Sequence, residues 1–415
     1  LYVQGSRPAQ QLADLLGLAF DIVDEPLLRL QERQFIEVLR TTGPSRGGYI
    51  LEVAGPGRER AAAALTASKY VGRAPVPLDA YRGWIEAQSV RHLQIGRDRI
   101  RNGFSHLVIG EHTLESLGPA VNSASSLFLH GDPGSGKTVI AEAIAGMLGG
   151  DIYIPYAVDI EGQIMRLFDP VHHTPVEPFD AGARVADENE WLRTPAEHDK
   201  RFVRIRRPAV FVGGELSLDQ LDLQYDHDTR MYEAPFQLKA AGGVLIVDDF
   251  GRQIAAPRDL LNRWIVPLEK HIDYLTLHTG AKFPVPFDCL LIFATNLNPD
   301  QLVDEAFLRR IKYKVNVPNP AQDQYAEIFR RECARRDIVY DERAVVHIYT
   351  RYYSDAGIPP RACHPRDILD HLVHTARYEG REPVLTPRLL DQACESYFLV
   401  MGRIEARQAS NRNDE

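Results

Sequence analysis

The 415-residue sequence predicts an α/β protein, with a parallel-sheet core over residues 101–318, an all-helical region over 319–402 and a small module over 1–70. Three observations carry this reading. Between 101 and 318, apolar strand-like runs alternate with helix-like runs, as they do in a parallel sheet. From 319 to 402 only helical spacing appears. Helices start near Gln322, near Glu342, at Pro365 and at Thr386-Pro387, where a hydroxyl N-cap precedes proline at the first helical position. Finally, a glycine-rich loop joins a short apolar strand to a helix at residues 131–138.

Composition narrows the class. Hydrophobic residues are 44% and charged residues 25%, which suits a globular protein with a sizeable core. The formal net charge of -9 gives no general attraction for nucleic acid. Cys289, Cys333, Cys363 and Cys394 form no CxxC pair and no zinc-finger spacing, so a reducing, cytoplasmic setting is expected. No signal peptide is visible at the N-terminus, and no run of about 18 apolar residues exists to span a bilayer, so no membrane insertion is expected.

Residues 1–70 read as helix, turn, helix, hairpin, helix. Leu12 to Leu16 is a short helical signal. Pro26 to Leu39 carries Leu27, Leu30, Phe35, Val38 and Leu39 at helical spacing, which predicts a second helix. Gly43, Pro44, Gly47 and Gly48 mark turns before a strand at Tyr49 to Val53, and Gly57 opens another helix. The order resembles a winged-helix module, and "PGRERAAAAL" resembles the segment after the wing in such modules. Residues 71–100 read as a linker plus a helix, punctuated by Pro75 and Pro77, and 403–415 as a polar tail.

The loop Gly131-Asp132-Pro133-Gly134-Ser135-Gly136-Lys137-Thr138 comes after the buried-strand signal Leu127 to His130 and precedes a helix from Val139. It fits G-x-x-x-x-G-K-[ST] in the strand–loop–helix setting that the motif requires. Glycines let backbone N–H groups curl around phosphate oxygens, and the helix N-terminus adds a favourable dipole. Lys137 is expected to reach the β- and γ-phosphates, and the Thr138 hydroxyl to ligate Mg²⁺. Downstream, Gly243 to Val247 is a continuous apolar strand ending in Asp248 and Asp249. Beside a phosphate loop, Asp248 is expected to hold the magnesium shell and Asp249 to act as general base on water. The plainer alternative is a pair of strand-end aspartates capping a turn.

With these residues in place, the chain resembles the AAA+ ATPases over 101–402. The loop at 131–138 and the acidic strand at 244–249 correspond to that family's two Walker motifs. The "FATNLNP" stretch resembles its sensor-1 strand, with Asn296 as the polar residue beside the attacking water. In "DEAFLRRIKYKV", Arg309 and Arg310 resemble the arginine-finger position, with Arg310 favoured and Ile311 standing where the family carries Phe. "CHPRDILDHL" resembles sensor 2 at the start of a lid helix, which makes Arg366 the γ-phosphate contact. The resemblance implies ATP and Mg²⁺ as cofactors, hydrolysis of ATP to ADP and phosphate, and a homo-hexamer or other ring. One position departs from the pattern. Many members carry Asp-Glu at the end of the acidic strand, whereas Asp249 is one methylene shorter, as in helicase-loader relatives.

The stretch ahead of Asn296 predicts a hairpin, with Tyr274 to Leu277, a Thr279-Gly280 turn and Phe283 to Val285. It resembles the MoxR-like and related helix-bundle ATPases, as does "CHPR". The interval between the two motifs exceeds what a minimal core needs, so 155–235 is expected to hold an inserted segment. Adjacent His172 and His173 lie in it without a strong metal-ligand spacing. Two functional readings compete. One is a chaperone-like remodelling ATPase acting on a protein client. The other is a DNA-linked regulator or loader that uses residues 1–70. Those residues hold eight Lys/Arg and eight Asp/Glu, so net charge does not favour DNA. Glu32 and Glu37 are expected to share a helix with the arginines. A third, lesser reading is a nucleotide-gated switch with little turnover.

Overall fold

The computed structural model describes residues 1–176, 199–297, 309–354 and 358–398. Contacts divide the chain into two units, one of 1–93, 148–246 and 253–291, the other of 94–147, 247–252 and 292–415. The central sheet contains β1 (Ser126–His130), β2 (Ala209–Val212), β3 (Val244–Val247), β4 (Leu290–Thr295) and β5 (Tyr313–Asn316), in the order β2-β3-β4-β1-β5. β5 runs parallel to β1, from Tyr313 opposite Leu127 to Asn316 opposite His130. Every residue of β3 and β4 is buried. Strands covered on both faces have no polar side to show, which is why their sequences are unbroken apolar runs. The expected α/β class with a parallel sheet and a helical C-terminal region is what the structure has.

In the first unit, helices Ala9–Leu16 and Phe20–Glu32 precede a hairpin of Ile36–Thr41 and Tyr49–Val53, to which Arg7–Pro8 adds a third strand, and helix Gly55–Leu65 comes next. The helix expected over 26–39 is thus two elements. Gln34 takes a left-handed φ of 58° and ends the helix. Ile36 and Val38 then pair with Val53 and Leu51. β-branched residues gain more from that hairpin than from one more helical turn. Glu32 and Glu37 therefore stand on different elements.

The rest of this unit is rich in strands. A five-stranded sheet has the order Gln224–Asp226, Met231–Glu233, Gln163–Arg166, Ala157–Ile160 and Val76–Pro77. It shares a hydrophobic core with helix Leu78–Ala87 and with the hairpin Ile272–Thr276/Lys282–Pro286. That hairpin is the one expected from the sequence, with Gly280 at φ 87° in its turn. Most of the expected insert lies here, while 177–198 falls outside the described residues. His173 is buried. Its Nδ1 accepts from the Asp169 N–H (3.0 Å), and its Nε2–H donates to the Lys239 carbonyl (2.8 Å). Lys239 is itself buried between Asp169 (2.7 Å) and Glu233 (2.6 Å). His172 is half-buried, edge-on to Phe236 and with its Nε2 3.9 Å from an Asp169 carboxylate oxygen. No group of three or more metal-ligating side chains occurs among the described residues.

In the second unit, α1 (Lys137–Leu148) begins within the glycine-rich motif and leaves the unit after Met147. The helical region comprises α2 (Gln322–Ala334), α3 (Glu342–Ile348), α4 (His364–Tyr378) and α5 over 387–398. Their starts match the sequence expectation. Tyr325, Phe329, Ile348, Leu369 and Leu390 are at the centre of its core. Among all described residues, no helix is long and apolar enough to cross a membrane.

His364 is buried in this core. Its Nδ1 accepts from the Tyr353 hydroxyl (2.9 Å) and the Arg361 N–H (3.3 Å), so the proton sits on a buried Nε2. Burial, reinforced by the Arg361 charge, holds its pKa at about 4. A histidine depressed in the folded state binds its proton more tightly when unfolded. Stability is therefore lost as pH falls through about 6.5 towards 4, by up to about 3 kcal/mol. Denaturant unfolding between pH 7 and 4.5 is expected to show a steeper loss for the wild type than for His364→Gln. Equal pH slopes would mean that this imidazole is not what titrates.

Candidate nucleotide-binding site

The site is built on the ends of buried strands. Leu127, Phe128 and Leu129 of β1 are wholly buried. Phe128 packs against Phe250 (5.9 Å between ring centroids) and Phe293 (5.8 Å), and those two rings lie 4.8 Å apart. Beyond His130 the chain turns through 131–136 and enters α1 at Lys137. At two glycines in this turn a side chain would collide and strain the backbone. A Cβ on Gly131 (φ 148°) would lie 2.3 Å from the Val317 carbonyl oxygen, and one on Gly134 (φ 78°) would lie 2.5 Å from Cys363 Sγ. The loop is also tied from outside. Asn319 Nδ2 donates to Asp132 Oδ2 (2.6 Å), and the Cys363 N–H donates to the Gly134 carbonyl (3.1 Å).

Lys137 Nζ donates to the carbonyls of Gly131 (3.0 Å) and Asp132 (2.8 Å). Burial pulls its pKa down, against the opposing influence of Asp248, Asp249 and Asp132. Thr138 Oγ1 donates to Asp248 Oδ2 at 2.9 Å. The first hydroxyl of α1 and the acid ending β3 thus meet, as two ligands of one cation must. Both are hard oxygen donors, the kind Mg²⁺ takes. Asp249 comes next in a left-handed conformation (φ 47°), with its N–H bonded to Asp248 Oδ1 (3.0 Å). Aspartate is one of the few non-glycine residues that visit this region, and strained backbone of this kind clusters at functional sites. Asn296 Nδ2 donates to Asp249 Oδ1 at 3.2 Å. Asn296 is fixed in turn through Thr295, whose hydroxyl donates to the Phe250 carbonyl (2.7 Å) and accepts from the Leu297 N–H (3.1 Å).

These groups face one cavity of about 420 Å³. Gly134, Ser135, Gly136, Lys137, Thr138 and Val139 line it from the loop and α1; Asp248, Asp249, Asn296 and Arg366 line the other sides. Gly131, Asp132 and Pro133 shape the loop without lining the cavity. Arg366, in the first turn of α4, pairs with Asp367 (2.9 Å), and this bond raises its pKa. Arg309 is exposed and Arg310 half-buried just before β5, and the cavity wall among the described residues includes neither.

Sequence reasoning missed one whole wall of the cavity. His106, Leu107, Val108 and Ile109 line it, with Ile328, Arg331 and Arg335 from α2 and Cys363 before α4. The short apolar run Leu107-Val108-Ile109 was a visible signal. Nothing in the spacing of α2 tells a face turned to a cavity from one turned to solvent.

No curated protein matches the chain. One family model does, over residues 321–396, described as a domain of unknown function (DUF8689). It covers the helical region, well under half of the chain. Among solved structures the chain is similar to NtrX from Brucella abortus in complex with ADP, with 14% identity, 70% of this chain, 56% of that chain and a TM-score of 0.41. It is also similar to the Thermotoga maritima RuvB Holliday junction branch migration motor, with 16% identity, 69% of this chain, 70% of that chain and a TM-score of 0.39. The match thus spans little more than half of NtrX. The molecule itself supplies an α/β sheet, a glycine-rich loop at a helix start and two strand-end acids around one cavity.

Proposed function

We propose that this chain is an ATP-binding and ATP-hydrolysing P-loop ATPase of the AAA+ type, acting on a protein client from within a ring of its own copies. One observation carries the reading. Residues 134–138 of the phosphate loop, Asp248, Asp249, Asn296 and Arg366 face a single cavity, with Thr138 hydrogen-bonded to Asp248. Each taken alone has a structural explanation; together they form the set that phosphoryl transfer to water needs.

The triphosphate lies along the loop and the N-terminus of α1, whose dipole favours anions. Lys137 turns from the loop carbonyls towards the phosphates. Thr138 and Asp248 would hold Mg²⁺, which offsets phosphate charge when bound. Asp249 takes the proton of the attacking water while Asn296 keeps its carboxylate oriented. Water bonds to the γ-phosphorus as the bond to the β-phosphate oxygen breaks, giving ADP and phosphate. Arg366 lies on the opposite wall, where leaving Asp367 for the γ-phosphate would neutralise developing charge.

The ring rests on the arginines. A residue that serves an adjoining copy has no need to line its own chain's cavity, and Arg310 does not. The hairpin Ile272–Thr276/Lys282–Pro286 supports the MoxR-like reading, in which such projections meet a client. The DNA-linked reading gains nothing from the winged-helix-like module at 1–70. Its helix Phe20–Glu32 carries Asp21, Asp24, Glu25 and Glu32 against a single Arg29, so phosphate would be repelled there.

Three outcomes are expected. Lys137→Ala abolishes ATP binding in a fluorescent-nucleotide titration; undiminished binding would remove the site assignment. Asp249→Asn lowers turnover by about 10²–10⁴-fold, the usual worth of a general base, with ATP affinity nearly unchanged. A steady-state rate within a factor of two of wild type would deprive Asp249 of that role. Arg310→Ala is nearly inactive alone but regains turnover when mixed with Lys137→Ala, because mixed interfaces pair an intact loop with an intact arginine. A mixture no faster than its components would argue against a shared site.

A further inference from the structure

We propose that Arg331 is a positioning residue for the nucleotide base, fixing the backbone at 105–107 against α2 and so setting a preference for adenine over guanine. This rests on the ATP-site reading and adds a specificity element to it. Arg331 Nη1 donates to the Ser105 carbonyl at 2.9 Å and, more weakly, to the Leu107 carbonyl at 3.4 Å. Its Nε donates to Glu327 Oε1 at 2.7 Å, one turn back on α2. Glu327 also receives Arg330 through two bonds of 2.8 Å, and the two guanidiniums hold its carboxyl down at about 2. The anchor is therefore ionised at any working pH, and Arg331 is gripped between helix and loop.

The peptide joining Leu107 to Val108 is planar and trans, so fixing the Leu107 carbonyl also fixes the Val108 N–H on its opposite edge. Val108 and Ile109 line the cavity, and Ile328 faces it from one turn before Arg331 on α2. The helix that holds the loop backbone thus also supplies an apolar wall for a flat base. Among the described residues, no protein group pairs with the backbone N–H or carbonyl of Val108 or Ile109. A backbone donor and acceptor left open beside aliphatic walls can read a base edge. Adenine offers an acceptor ring nitrogen beside a donor amine, and guanine offers the reverse. A mobile backbone could turn to meet either; a clamped one meets one of them. Arg331 is that clamp.

The test is equilibrium titration of the full chain with fluorescent ATP and GTP analogues, with inorganic tripolyphosphate as competitor. The wild type is expected to favour ATP. Arg331→Ala is expected to cut the ATP-to-GTP affinity ratio about ten-fold, the worth of a charged hydrogen bond, while tripolyphosphate affinity stays put. Arg331→Lys restores part of the ratio. Glu327→Gln, which keeps the arginine but neutralises its anchor, shifts the ratio the same way and carries the test should Arg331→Ala fail to fold. An unchanged ratio in both variants, or a wild type indifferent to the base, overturns the proposal. So does a fall in tripolyphosphate affinity equal to that for ATP, which would place Arg331 on the phosphates. A wild type that binds neither nucleotide brings down the ATP-site reading instead.

Discussion

Three phenylalanine rings, Phe128, Phe250 and Phe293, fix how the chain leaves the sheet at the candidate site. Packed interiors resist small shifts, so rings in mutual contact hold the segments that carry them at one level. The Phe250 N–H is bonded to the Ala294 carbonyl at 2.7 Å, which joins the turn after Asp249 to the end of β4. The polar contacts at the site depend on that registration. Thr138 reaches Asp248 and Asn296 reaches Asp249 because the segments bearing them cannot slide. An apolar cluster with no chemistry of its own decides whether the acids converge.

Much of this was legible in the sequence where backbone geometry dictates residue type. Gly131 and Gly134 could be read because a side chain at either would collide with Val317 or Cys363 at a left-handed backbone angle. β3 and β4 could be read because two-sided burial leaves an unbroken apolar run. The helix over 26–39 was misread because Leu27, Leu30, Phe35 and Val38 satisfy helical spacing, while the feature that ends the helix is one left-handed glutamine. The wall at 106–109 went unread for another reason. Its role comes from contact with α2, far away in the chain, and local periodicity holds no trace of such a contact.

The cationic groups of the site have acceptors within the chain. Lys137 sits on loop carbonyls and Arg366 on Asp367. An anion entering the cavity exchanges these partners for itself, so its net gain is the difference between two sets of hydrogen bonds. Such an arrangement limits the penalty of burying charge. Arg366 stands on a different helix from the loop, so the two cations are held by separate elements.

The glycine-rich loop depends on residues far from it in sequence. Asp132 is held by Asn319, 187 positions later, and Gly134 rests against Cys363 beyond that. A ribosome makes the loop long before it makes either support. The nascent chain therefore carries the glycine-rich signature without these two supports until residues 319 and 363 have been made.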